Sequence, residues 1–199
     1  MNQIEQEGRA LELAIAKRIR KHRRQNKWTL EELAKLTGLS KGYLSQIENG
    51  EKVPPICTLT KIAFALGTNV ITLISGNSKG QESGKISMGK VENRLPIHHI
   101  ESSPKTAYES FGFKKKDRIM DTYVVTMGPE FPPKGLMHGG QEFVYALEGR
   151  HEFYYDGQTY ILNPGDAIYF DSNRPHMGRS LGQETAKILV VFCNSPKTE

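Results

Sequence analysis

Between Lys17 and Lys27 the chain places seven cations, Lys17, Arg18, Arg20, Lys21, Arg23, Arg24 and Lys27, with no acid among them. Such a cluster attracts a polyanion such as DNA, or else forms the solvated basic face of a helix; composition leaves the two open. Its setting favours a local role. Residues 1 to 80 hold 13 Lys/Arg against 7 Asp/Glu, a balance of +6, whereas residues 81 to 199 hold 14 against 15, a balance of −1. A second group of chemistry-bearing side chains lies far along the chain, where His138 and Glu142 stand four apart across two glycines and His176 follows later. His98, His99 and His151 fit no ligand spacing and are read as ordinary. Cys57 and Cys193 sit in apolar surroundings without metal-binding spacing and are expected to be buried, reduced thiols.

Two kinds of element must position these groups. From Ala10 to Leu73 apolar residues recur at helical spacing: Leu11, Leu13, Ile15 and Ile19, then Leu30, Leu33 and Leu36, then Leu44 and Ile47, then Leu59, Ile62 and Leu66, then Val70 and Leu73. The pattern predicts five short helices, with Thr29 and Glu32 placed as a capping box, Gly38 in a turn, Ser40 as a second cap, and Gly50 and Gly67 as stops. The stretch from Ser75 to Ser87 is rich in Gly, Ser and charge and reads as a linker. From about Ile97 the pattern becomes short β-branched and aromatic runs (TYVVTM, EFVYALEG, HEFYYDG, AIYFD, KILVVF) separated by Gly, Pro, Asn and Asp, which implies a sandwich or barrel. Hydrophobic residues make up 37% and charged residues 25%, enough for a buried core. The apolar runs fall far short of the ~20 residues a membrane span needs, and the opening MNQIEQEGRA has no signal-peptide character, so the expected address is the cytoplasm.

The segment TLEELAKLTGLSKGYLSQIENG meets the demands of a helix-turn-helix. Ala34 is small where helices cross, Gly38 can take the left-handed conformation, and Leu33, Leu39, Leu44 and Ile47 supply the packing. Together with the ENGEKVPPICTLTKIAFALG stretch it resembles the phage-repressor-like XRE family, over roughly residues 10 to 75. The resemblance implies a lambda-repressor-like domain of five helices in which Lys41, Gly42, Ser45 and Gln46 face the major groove. Gln46 would pair with adenine and Lys41 with guanine, with Ser45 less discriminating. Tyr43, Asn49 and Lys52 would meet or position against phosphate, Arg23 and Arg24 would assist, and the caps Thr29 and Ser40 count among the DNA-binding residues.

In the second half, GLMHGGQEFVYALEG and the later NPGD and PH segments resemble the two motifs of the cupin barrel, over about residues 95 to 195. Cupins usually supply three His and one Glu to a divalent metal. Here the position expected for the first His is Leu136, which leaves His138, Glu142 and His176 as metal ligands. Two His and one carboxylate is a set used by non-heme iron enzymes, and zinc or iron is the divalent metal expected if one is present. A polar barrel that binds an organic effector without metal is the equal alternative. Lys134, Tyr145, Phe153, Tyr155, Tyr169 and Arg179 are expected to line an effector pocket suited to a small carboxylate or similar anion.

The resulting expectation is a multi-domain α + β chain: a helix-turn-helix domain at 1–75, a linker at 76–94 and a cupin jelly-roll domain at 95–199. This order resembles the XRE-cupin class of bacterial transcriptional regulators. The resemblance implies a double-stranded DNA operator, a small-molecule effector and a homodimer whose two heads lie about one DNA turn, ~34 Å, apart. The alternative is an enzyme. The same domain order and ligand pattern resemble the iron-dependent epoxidase that makes fosfomycin, with His138, Glu142 and His176 holding iron. Against it stands the basic head with Lys41, Ser45 and Gln46 on one face, which an enzyme does not need. An antitoxin that represses its own operon shares the helix-turn-helix but rarely carries a barrel of this size.

Overall fold

The computed structural model describes residues 3–76, 85–97, 106–113, 115, 118–182 and 184–193, and of the first turn of the first helix only the backbone at positions 3, 4, 5 and 7. The chain divides into two compact units, helical and β.

The helical unit contains α1 (Gln3–Gln25), α2 (Leu30–Thr37), α3 (Lys41–Glu48), α4 (Ile56–Ala65) and α5 (Val70–Ser75). The five helices match the periodicity, although α1 runs to 23 residues and is not short. Thr29 takes the N–H of Glu32 while the Glu32 carboxylate takes the N–H of Thr29, so two of the unsatisfied N–H groups at the start of α2 are answered reciprocally. Ser40 caps α3 through the Tyr43 N–H, and Asn69 caps α5 through that of Thr72. Gly38 adopts φ 63°, the left-handed conformation that turns α2 into α3. Ile15, Ile19, Leu33, Leu44, Ile47, Leu59, Ile62 and Leu73 are the buried spine of the unit. Leu13 and Leu36, in phase with this spine in the sequence, lie exposed instead, Leu36 by 56%. Within α2, Leu33 is the apolar residue that turns inward, beside the buried Thr37. Arg18 reaches from α1 to the carbonyls of Leu73 (2.9 Å) and Ile74, answering the open C-terminal carbonyls of α5 with a cation.

In the β unit, a 3-10 turn at Val91–Asn93 is followed, among the described residues, by nine strands: β1 (Leu95–Ile97), β2 (Ala107–Ser110), β3 (Met120–Met127), β4 (Gln141–Glu148), β5 (His151–Tyr155), β6 (Gln158–Leu162), β7 (Ala167–Asp171), β8 (His176–Ser180) and β9 (Ala186–Cys193). All pairings are antiparallel, in a six-stranded sheet ordered β1-β2-β3-β9-β4-β7 and a three-stranded sheet ordered β6-β5-β8. This is the cupin jelly-roll arrangement. Strand alternation sets the interior: Glu142, Val144 and Ala146 of β4 and Ala186, Ile188, Val190 and Phe192 of β9 are buried, with residues between them more open. Of the stretch read as a linker, residues 77–84 lie outside the described residues, and residues 86–94 belong to the β unit, with Gly89 close against Phe111 and Phe113. Cys57 is buried as expected, whereas Cys193 at the end of β9 is half-buried.

Candidate functional site

The outer face of α3 follows from its inner one. Leu44, Ile47 and Glu48 are buried, which turns Lys41, Gly42 and Asn49 fully outward and leaves Tyr43, Ser45 and Gln46 half-exposed. Lys41 forms an ion pair with Glu31 of α2, with side chains 60% and 55% exposed. The Lys52 ammonium stands 5.7 Å from the Tyr43 ring centroid, and the Asn49 amide donates to Glu51. Thr29 and Ser40 use their side-chain oxygens as caps.

Arg23 requires a correction. It is not a helper reaching for phosphate: its Nε and Nη2 donate to the two oxygens of Glu48 at 2.7 Å each, and its Nη1 donates to the Trp28 carbonyl at 2.6 Å. The side chains are 11% and 4% exposed. This two-point clamp fixes α3 against the end of α1, so Arg23 positions the recognition helix from behind. Arg24, by contrast, is exposed. No local pattern announces a pair 25 residues apart, which is why the clamp was invisible in the sequence.

In the β unit, His138, Glu142 and His176 come together, with one ligand atom from each lying within 4.8 Å of the others. Their side chains are only 4–6% exposed. Backbone bonds hold the parts. Leu136 and His176 exchange N–H···O bonds of 2.8 and 3.0 Å, and the His138 N–H donates to the Ser172 carbonyl at 2.8 Å. Leu136, where the usual first His would stand, thus serves as the backbone partner of a candidate ligand. The Nδ1 atoms of His138 and His176 face the carbonyls of Gly139 (3.1 Å) and Arg174 (2.8 Å). A carbonyl only accepts, so Nδ1 carries a proton, and in the neutral ring each Nε2 presents a lone pair. Both Nε2 atoms point at Glu142 Oε1, at 2.5 and 3.3 Å. Burial raises the Glu142 carboxyl, and hydrogen bonds from the two imidazoles in their protonated form more than offset it, holding the group below its ordinary pKa. Phe192 packs on His138 (5.6 Å between centroids) and Phe170 on His176 (5.0 Å), giving the centre aromatic walls.

Four of the six residues expected in the effector pocket lie elsewhere. Lys134 is exposed. Tyr169 pairs with Phe143, and Tyr145 with Ala167, in the register opposite to that of Glu142, so both lie on the outer face of the sheet. Arg179 pairs with Glu152 on the face opposite to His176, bonds its carboxylate at 2.5 Å and stacks 4.5 Å from the Phe131 ring. Phe153 and Tyr155 do face inward, Phe153 6.4 Å from the His176 ring and the Tyr155 hydroxyl donating to the Asp171 carbonyl. A residue type suits a pocket, but only the register decides the face. His98 and His99 lie outside the described residues. His151 is not ordinary: it is 1% exposed, and burial lowers its pKa to about 4.

A helix-turn-helix family model matches residues 19–73 and a cupin domain model matches residues 123–192. The chain is 28% identical over 165 residues to the HTH-type transcriptional regulator SutR of Escherichia coli K12, covering 82% of this chain and 85% of that one. It is 26% identical to the HTH-type transcriptional regulator PuuR of the same organism, over 94% of this chain and 97% of that one. Among solved structures, an HTH_3 family transcriptional regulator from Vibrio cholerae matches 94% of this chain and 98% of its own, with a TM-score of 0.62 at 24% identity. The hydroxypropylphosphonic acid epoxidase of S. wedmorenis matches 91% of this chain and 97% of its own at a TM-score of only 0.45 and 21% identity, a likeness too low to carry an activity.

Proposed function

We infer, from a chain that belongs to the XRE-type helix-turn-helix transcriptional regulators with a C-terminal cupin domain, that α3 reads its operator through Lys41, Gly42, Ser45 and Gln46, while the barrel binds a small effector. The observation that carries the DNA reading is the division of α3. Leu44, Ile47 and the Glu48–Arg23 clamp occupy its inner side, and no buried partner claims Lys41, Ser45 or Gln46. Gln46 offers a donor and an acceptor to adenine N7 and N6, Lys41 a cation to guanine, and Tyr43, Asn49, Lys52 and Arg24 surround them for phosphate. A homodimer, acting in the cytoplasm, would place two such helices on a two-fold site and multiply a short contact into a selective one. No helix of the described residues is long and apolar enough to cross a membrane.

The test is Gln46→Ala, measured at one fixed salt concentration on the duplex that the wild-type chain enriches from a random library and on random duplex. The expected loss is about 1–3 kcal/mol on the enriched site only, as for a bidentate base contact. Equal loss on both would make Gln46 a phosphate or structural residue.

For the barrel, the donor set supports one divalent metal. Two imidazole lone pairs and a carboxylate oxygen converge in a space sealed from water, and neither Glu142 Oε1 nor His176 Nε2 has a partner at hydrogen-bond geometry. With the rings neutral these are acceptors facing acceptors in a low dielectric, which a proton or a metal cation between them relieves. His138, Glu142 and His176 would hold zinc or iron, which supplies a Lewis-acid anchor for an oxygen atom of the effector. The chain's own contribution is to fix the two imidazole tautomers and to shield the centre with Phe170 and Phe192. Equilibrium dialysis of the full chain against Zn(II) or Fe(II) should give one ion per chain, with Glu142→Gln losing it. No ion retained by the wild type, or the same ion retained by the variant, would leave an organic effector alone in the barrel.

A further inference from the structure

The face that reads DNA carries an acid. Glu31, in the first turn of α2, holds the Lys41 ammonium at the first position of α3. The fold does not need this contact. The start of α2 is already served by Thr29 and Glu32, α2 and α3 pack through buried Leu33 and Leu44, and an ion pair so exposed adds little to stability. Its effect falls on the partner. A lysine on this face would otherwise add a phosphate contact of equal worth on any sequence. Paired with Glu31, Lys41 can make that contact only by leaving its carboxylate uncompensated beside a polyanion.

We propose that Glu31 is a specificity-determining residue that withholds Lys41 from non-cognate DNA. On the cognate site the guanine O6 and N7 atoms offset the broken ion pair; on other sequences nothing does. The inference rests on the reading that α3 enters the major groove. It gives a role to an exposed acid in a stretch whose charge balance, Glu31 included, is +6 over residues 1 to 80.

Wild-type, Glu31→Gln, Lys41→Gln and doubly substituted full-length chains are compared on random duplex and on the duplex enriched by the wild type, between about 50 and 200 mM KCl, the range over which phosphate contacts show as a salt slope. Glu31→Gln should tighten random-duplex binding about 3- to 10-fold and steepen its salt slope by about 0.9, the value of one added phosphate contact. Binding to the enriched duplex should gain less, so that the ratio between the two falls. In the Lys41→Gln background the gain on random duplex should shrink by more than half. Three results would overturn the proposal: no change on random duplex, an equal gain with and without Lys41, or a loss confined to the enriched duplex, which would make Glu31 a base reader. Failure of the underlying reading looks different, since Lys41→Gln and Gln46→Ala would then both leave the enriched duplex bound as tightly as before.

Discussion

In the helical unit, the deeply buried charge is answered: Arg23 meets Glu48 through two bonds of 2.7 Å. The side chains proposed for DNA stand outside on α3. In the barrel the positions are exchanged. Glu142 Oε1, His176 Nε2, His151 Nδ1 and Ser180 Oγ are buried, and none has a hydrogen-bond partner among the described residues. A buried polar group without a partner is costly, and native folds keep few of them. The comparison therefore separates two roles for buried polarity. Where it is satisfied it fixes a working surface from behind, and where it is not, as at Glu142 and His176, it supports the metal site proposed above.

The largest effect that could break this comparison is at the clamp. Arg23→Ala leaves Glu48 as an unpaired buried charge, and the expected loss is about 3–5 kcal/mol in the unfolding of the helical unit. DNA binding should fall with it, although Arg23 is turned away from the DNA face. Thermal and urea unfolding followed by circular dichroism measures this, and a loss below about 1 kcal/mol would show the clamp to be no more than a surface pair.

A somewhat smaller effect sharpens the other half. The folded-state pKa of His151, about 4, lies below its unfolded value of 6.5, with burial as the first cause and the Arg179 backbone and Glu152 opposing it. The unfolded chain therefore binds more protons between these values. The neutral ring's contribution is complete above pH 6.5, declines as the pH falls and is gone below about 4, an effect of roughly 3 kcal/mol. His151→Gln should remove that part of the acid dependence from the unfolding of the β unit. If variant and wild type lose stability in parallel from pH 6.5 to 4, the ring is not held neutral by burial.

The features legible in the sequence were those written within a few residues. Thr29 with Glu32, Gly38 between α2 and α3, and Ser40 before α3 are local signals, and each took its expected conformation. His138, Glu142 and His176 were legible as positions in two motifs, and the fold brings them together. What escaped depends on register or on distance along the chain. Tyr145 and Tyr169 have the aromatic character of pocket residues, but one step of strand alternation puts them on the outside. His151 looked unremarkable because its isolation comes from Gly178 across the sheet, where an added Cβ would stand 2.3 Å from the imidazole. Leu36 kept the helical period and still lies exposed, since periodicity gives a phase but not a neighbour to fill it.

The end of α5 has a mechanical consequence. Arg18 grips the Leu73 and Ile74 carbonyls, and its guanidinium packs close enough to Gly76 that a Cβ there would stand 2.9 Å away. The C-terminal end of α5 is thus riveted to α1. Five residues further along the same helix, about 7.5 Å of rise, Arg23 holds α3. The end of α5 and the helix proposed to read DNA thus hang from one rod, their anchors little more than a single helical turn apart.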